Sequence, residues 1–249
     1  ANTLVLIHSL AENNSTSIVD GGAVNTTGGI NSVVMANPSY GQSIVKYTGT
    51  GSNSTVGHGL SSAPEMILAK SDHADYAWAV YHASLASNSH TLTLNSTAIS
   101  YDESNKFTGT APTSSVFSVG NHGTNVNTKQ QIAYCFHSVD GYSAVSSYIG
   151  NGNANGTFVY TGFKPAFILI KCLDATHEWV MLDNTRQTGT VKYEIYANKA
   201  NAEGSDDSGV RFTSTGFKLT SDNSYVNANA KTFIYLAFAN TPFKYSNAR

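Results

Sequence analysis

One pattern occurs twice in this chain and constrains its fold more than any other. Residues 47–70 read YTGTGSNSTVGHGLSSAPEMILAK, and residues 148–171 read YIGNGNANGTFVYTGFKPAFILIK. Each copy opens on aromatic, spacer, Gly, spacer, Gly. Each then crosses a polar stretch to a proline (Pro64, Pro165) and an apolar run that ends in lysine (Lys70, Lys171). Tyr, Pro and Lys recur at one separation, which is the mark of a duplicated unit. The glycine pairs lack the spacing of a phosphate loop and no helical pattern follows them. They read instead as turn glycines feeding a core strand.

The remaining apolar runs fall in the same order in both copies. SIVKY, EMILAK, YAWAVYH, TLTLN, VFSV and QIAYCFHSV belong to the first. TFVY, AFILIK, WVMLD, KYEIYA, GFKLT and TFIYLAFA belong to the second. These runs are short, rich in β-branched and aromatic residues, and separated by Gly, Asn, Ser and Pro, so the chain is expected to be all-β. One helical turn is expected at most, at Ala197–Ala202. The short connections favour antiparallel pairing, with alternation leaving one polar face per sheet. The predicted architecture is two tandem antiparallel β-sandwich or jelly-roll-like repeats, 44–143 and 144–249, behind an N-terminal arm, 1–43. Within the arm TLVLIHSL (Thr3–Leu10) reads as a strand, while residues 11–29 read as polar loop. The arm has no copy elsewhere, and is expected to dock on the repeats or on a neighbouring subunit. DGYSAVSS (Asp140–Ser147) reads as the short linker between repeats.

Only 12% of the 249 residues are charged and the net charge is −2. Nucleic acid as a partner is therefore not expected, since it calls for a basic stripe. No apolar run approaches the roughly 20 residues that span a bilayer, and the opening ANTLVLIHSLAENN lacks the basic region of a signal peptide. The surface must be built from neutral Asn, Ser, Thr and Gly, a profile of extracellular or virion-surface proteins. Cys135 and Cys172 each adjoin an apolar run and read as buried free thiols.

No constellation signals catalysis. The eight histidines form no metal-binding pair spacing. His73 with Asp72 and Asp75 reads as a solvated turn. Asp206-Asp207 lacks the offsets of a calcium loop. Glu65, Asp102, Glu103, Glu178 and Asp183 are carboxylates that a glycosidase would need in pairs, but nothing in the sequence selects a pair. No catalytic residue, metal or cofactor is predicted. Trp78 and Trp179 occupy matching strand positions and read as core rather than as sugar platforms. Function is better sought on loop aromatics, so Tyr76, Tyr101 and Tyr225 are the candidate ligand contacts.

Several stretches also resemble a known family. SIVKYTGTGSNSTVGHGLSSAPEMILAK (43–70), WAVYHASL (78–85), APTSSVFSVG (111–120), IAYCFHSVDGYS (132–143), SYIGNGNANGTFVYTGFKPAFILIK (147–171), GFKLT (216–220) and IYLAFANTPFKYSNAR (234–249) are similar to an uncharacterised duplicated domain of tailed phages of marine bacteria, cyanobacterial phages included. The resemblance covers residues 43–249. It implies a virion structural protein, non-enzymatic, of tail-fibre or surface-appendage type, at the virion surface. The partners it implies are other virion proteins, further copies of the chain (a trimer first), and a host-surface glycan. A capsid decoration protein is the alternative, and a polysaccharide depolymerase ranks last. The preface is too short to be the lectin-like domain that often precedes the family's domain.

Overall fold

The computed structural model describes residues 22–73, 76–186, 193–204 and 209–243. It is an all-β protein of antiparallel ladders. In chain order the strands are β1 (Ala23–Asn25), β2 (Ser32–Asn37), β3 (Gln42–Thr48), β4 (Ser54–Gly57), β5 (Met66–Ser71), β6 (Ala79–His82), β7 (His90–Thr93), β8 (Tyr101–Asp102), β9 (Val116–Val119) and β10 (Gln130–Phe136). There follow β11 (Ser143–Ile149), β12 (Phe158–Tyr160), β13 (Pro165–Cys172), β14 (Val180–Asp183), β15 (Ile195–Tyr196), β16 (Val210–Thr213), β17 (Gly216–Leu219) and β18 (Thr232–Ala239).

The duplication is written into the topology. One large sheet contains the run β3-β10-β5-β6-β7, and the other is β11-β18-β13-β14-β15, the same order strand for strand. Each is faced by a small sheet, β4-β9 in the first repeat and β12-β17-β16 in the second. The first large sheet is longer, because β2 and β1 extend it beyond β3 and β8 extends it beyond β7.

The repeated Tyr-x-Gly-x-Gly stretch owes its sequence to a clamp made twice. Tyr47 and Tyr148 are buried, and their hydroxyls donate to Thr124 O (2.5 Å) and Val226 O (2.7 Å). The first glycine of each pair has no room for a side chain. A Cβ at Gly49 would lie 2.1 Å from Val126 O, and one at Gly150 would lie 2.4 Å from Ala228 O. The second glycine adopts positive φ, 73° at Gly51 and 60° at Gly152, where other residues are strained. A fully buried asparagine then holds each loop. Asn125 Oδ1 accepts from Thr50 N (2.7 Å) and its Nδ2 donates to Ser52 O (2.5 Å). Asn227 Oδ1 accepts from Asn151 N (2.9 Å), and its Nδ2 donates to Asn153 O (2.9 Å) and Ser221 O (2.7 Å).

Three apolar clusters result. One lies inside repeat one, around Val45, Ile67, Phe117 and Cys135. Its counterpart inside repeat two gathers Ile168, Ile170, Phe217 and Phe233. The third joins the outer faces of the two large sheets: Met66, Val80, Leu92 and Phe136 meet Val145, Leu169, Leu236 and Phe238. This corrects the expected polar face. β6 is buried at every residue and β18 at six of eight, because these sheets are covered on both sides. Trp179 is 1% exposed in the third cluster and donates from Nε1 to Thr93 O across the repeats (3.0 Å). Trp78 holds the matching position but is only half-buried, stacked on Tyr134 at 6.1 Å. The core reading therefore holds for Trp179 and not for Trp78.

Other expectations shift as well. DGYSAVSS is mostly strand, since β11 begins at Ser143. The polar region before Gly29 contains β1, whose Ala23 pairs with Val34. No helix forms at Ala197–Ala202; short helices lie instead at Ser104–Phe107 and Ser224–Asn227. β16, a strand absent from the sequence reading, pairs with β17 through a tight turn. The segment Thr3–Leu10 lies outside the described residues. Cys135 and Cys172 are buried and free.

His82, on β6, is buried in neutral form: its Nδ1 accepts from Ser84 N (3.0 Å). Burial pushes its pKa down to about 4, against a hydrogen bond to the Tyr235 backbone. Between about pH 4 and 6.5 the unfolded chain binds a proton that the folded chain does not, so stability falls as pH falls through that window. The contribution is on the order of 3 kcal/mol. Chemical denaturation at stepped pH should show this acid limb in the parent, and His82→Gln should make it shallower, the remainder coming from His58 and His177, which burial also lowers; an unchanged limb would contradict the assignment. For the clamp, Asn227→Ala should lose about 1–3 kcal/mol or more, because it strands buried backbone groups. Urea unfolding checks this, and a loss below about 0.5 kcal/mol, typical of a surface change, would count against the clamp.

Candidate functional site

The three candidate tyrosines are all half-buried rather than fully exposed. Each is held by neighbours. Tyr76 follows β5 in a loop, with its ring edge-on to His122 (centroids 5.0 Å) and to His73 (5.7 Å). Lys70 Nζ donates to its carbonyl. Tyr101 begins β8, and its hydroxyl accepts from Lys106 Nζ (2.7 Å) and sits 3.2 Å from Thr93 Oγ1. Tyr225 lies in the short helix Ser224–Asn227, edge-on to His177 (5.3 Å) and Tyr196 (6.2 Å).

Two of them share one neighbourhood. Lys106 pairs with Glu103 Oε2 (2.9 Å), and Glu103 Oε1 lies 3.3 Å from His122 Nδ1. His122 then touches the ring of Tyr76. Tyr101, Lys106, Glu103, His122, Tyr76 and His73 thus form one contact chain at a corner of repeat one. Lys106 also stands 5.1 Å above the Tyr101 ring.

Tyr225 marks the same corner of repeat two. The loops align through the clamp asparagines, Asn125 and Asn227, so Tyr225 corresponds to Gly123. A Cβ at Gly123 would sit 3.0 Å from the Tyr76 ring. One tyrosine fills this corner in each repeat, from a different element each time. The corner of repeat two repeats other parts as well. Lys199 Nζ pairs with Glu178 Oε1 (2.5 Å) and stands 5.2 Å above the Tyr196 ring. Asn198 accepts the Trp179 N–H (2.9 Å), as Asn95 accepts that of Trp78 (3.0 Å). This correspondence between corners was invisible in sequence, because the tyrosines sit at unmatched positions. The signal available was an asparagine at nearly equal spacing behind each glycine pair, 75 residues after Thr50 and 76 after Asn151.

Below the second corner lies Lys171, fully buried, whose Nζ donates to Thr97 O (3.1 Å) in repeat one and to Cys172 O (2.9 Å). Burial pushes its pKa down to about 8, offset in part by Cys172 and Glu178. Burial alone would raise Glu178, but hydrogen bonds from Lys199 and Asn198 outweigh it and hold the carboxyl below its ordinary range. Burial, then the charge on Lys171, lowers His177. The thiols are unreactive in this setting: burial drives Cys135 up to about 12 and raises Cys172 as well.

Two further carboxylates have local partners. Glu65 Oε2 accepts from Ser138 N and Oγ (2.5 and 2.6 Å), and Asp183 pairs with Arg186 (2.5 Å). Asp102 is exposed on β8. Asp75 and the pair Asp206-Asp207 lie outside the described residues. Among the described residues no group of three His, Cys, Asp or Glu is placed to hold a metal ion. An open groove of about 470 Å³ runs over β1, β2 and β3, lined by Val24, Val33, Lys46 and Gln130; none of the three tyrosines lines it.

The Lys171 ammonium gives a test. Its folded pKa is lowered, so above about pH 8 the unfolded chain holds the extra proton and stability rises with pH. The rise is confined to about pH 8–9, because the buried thiols, with raised pKa values, oppose it above that. Lys171→Met should remove the rise in denaturation midpoints across this window; an identical slope in parent and variant would contradict the assignment.

No curated protein matches the chain significantly, and no solved structure does. A family profile matches residues 15–242, nearly the whole chain and both repeats. The chain therefore belongs to the family described as a domain of unknown function, DUF7483.

Proposed function

We propose that this chain is a non-catalytic, surface-displayed binding module of a phage virion, a tail-fibre or appendage protein that contacts neutral host-surface glycan. The observation that carries the binding reading is the pair of equivalent aromatic corners. Each presents a tyrosine edge-packed on a histidine, beside a second tyrosine under a lysine–glutamate pair. Ring faces and neutral hydrogen-bonding groups suit a carbohydrate, with orientation set by a few polar side chains. The histidines and ion pairs fix the rings in place, so little order is lost on binding. The virion setting rests on the resemblance of residues 43–249 to structural domains of marine tailed phages.

The reading of a decoration protein asks residues 1–43 to reach over a neighbouring subunit. The described part of that segment lies on the chain's own first repeat, through β2 against β3, which favours the appendage reading.

A glycan array with the intact chain tests the binding. Neutral oligosaccharides should be retained with little sensitivity to salt, because the corners carry paired charges. Tyr76→Ala and Tyr225→Ala should each weaken retention, and the double variant should abolish it with the unfolding midpoint nearly unchanged. Retention unaffected by the double variant, or absence of the chain from every virion proteome of its source, would overturn the reading.

A further inference from the structure

The shared core covers the two large sheets unequally. Across the second sheet, Ser147, Ile234 and Lys171 lie side by side on β11, β18 and β13, and Trp179, the residue before β14, stands next to Lys171. Ile234, Lys171 and Trp179 are at most 1% exposed. Across the first sheet the same row is Lys46, Ile132 and Lys70 on β3, β10 and β5, with Trp78 beside Lys70. Here Ile132, Lys70 and Trp78 are only half-buried and Lys46 is exposed. β2 and β1 prolong the row outward with Val33, 39% exposed, and Val24, 70% exposed. Among the described residues this strip of the first sheet is left open.

In repeat two the row holds a turn of repeat one. Trp179 Nε1 donates to Thr93 O (3.0 Å) and Lys171 Nζ donates to Thr97 O (3.1 Å), while Ile234 packs beside them in the shared core. An indole and an ammonium thus grip both ends of the turn that leaves β7.

Repeat two makes the same turn. Asn95 and Asn198 accept the N–H groups of Trp78 and Trp179. Leu94 N donates to Trp78 O (3.3 Å) as Ala197 N does to Trp179 O (3.0 Å). Ser96 N donates to Thr93 O (3.3 Å) as Lys199 N does to Tyr196 O (3.4 Å). Tyr196 and Ala200 therefore stand where Thr93 and Thr97 stand in repeat one. Ala197, Lys199 and Ala200 are exposed. Within one chain the grip runs one way. The Trp78 indole N–H has no acceptor among the described residues, and Lys70 Nζ donates to Tyr76 O in its own repeat. An ammonium has three hydrogens, so Lys70 can serve a second acceptor. Tyr196 O can likewise take a second donor, as Thr93 O does.

Each chain thus carries one row and one turn that are the two halves of a contact the fold already makes. Such a pair is satisfied between copies, by mutual exchange in a dimer or head to tail in a ring. The exposed apolar residues of the strip favour a protein cover. We propose that the strip from Val24 to Trp78 is a self-association site whose occupant is the Tyr196–Ala200 turn of a second copy of the chain. Trp78 Nε1 then donates to Tyr196 O of that copy, and Lys70 Nζ to Ala200 O.

The experiment is analytical ultracentrifugation of the intact chain over a concentration series, without glycan, which separates this contact from the proposed glycan binding. The parent should associate reversibly. Trp78→Phe keeps a ring on Tyr134 but removes the N–H, and Ala200→Arg crowds the exposed turn without touching the core. Each should weaken association by roughly ten-fold or more, with the unfolding midpoint in dilute solution nearly unchanged. Ile149→Ser, at a side chain 63% exposed on the rim of repeat two, should leave association as in the parent. A parent that stays monomeric at its highest soluble concentration would overturn the proposal. So would association that either Trp78→Phe or Ala200→Arg leaves at the parent's strength, or that Ile149→Ser weakens instead, because the copies would then meet elsewhere.

Discussion

Burial of both faces of each large sheet is the constraint on which the rest depends. A sheet faced by a small sheet on one side could leave its other side wet, and its strands would then alternate. Here β13 and β18 carry apolar residues almost without interruption, FILI and FIYLAF, so each large sheet needs a second cover. The two repeats supply it to each other. The layers run small sheet, large sheet, large sheet, small sheet, with the third apolar cluster at the centre. Since burial scales with area at about 25 cal/mol per Å², neither repeat can leave the other without exposing Leu169, Leu236, Phe238 and their partners to water.

Polar groups inside this frame are few and specific. The Tyr–Gly–Asn clamp recurs because each loop must turn back over its own core with buried backbone groups satisfied. Across the repeats, Trp179 and Lys171 donate to carbonyls of repeat one, at Thr93 and Thr97. These bonds fix the register of one repeat on the other, where apolar contact alone would allow sliding. At the corners the repeats differ in sequence but converge in arrangement, which is what the proposed binding role rests on.

Much of the fold was legible in the sequence. The duplication, the all-β class and the order of most strands followed from apolar runs and turn residues. The double burial of the large sheets was not read, although FILIK and TFIYLAFA lack alternation; a continuous apolar run is the sign of a strand covered on both faces. β1 and β8 escaped because two- or three-residue strands are made by their neighbours rather than by propensity. At the site, Tyr76, Tyr101 and Tyr225 were picked as separate loop residues. That Tyr76 and Tyr225 fill matching corners depends on Gly123 leaving room for one ring, which is a three-dimensional fact without a sequence signature.

The central claim is that the two repeats form one folding unit through the shared core. Trp179 reports on that core directly, because it is buried at the interface. In a Trp78→Phe variant, equilibrium unfolding should be followed by Trp179 fluorescence and by far-ultraviolet circular dichroism. The account predicts one cooperative transition with coincident midpoints for the two probes. Exposure of Trp179 at lower denaturant, with the β signal still intact, would show repeats that separate before they unfold and would contradict it.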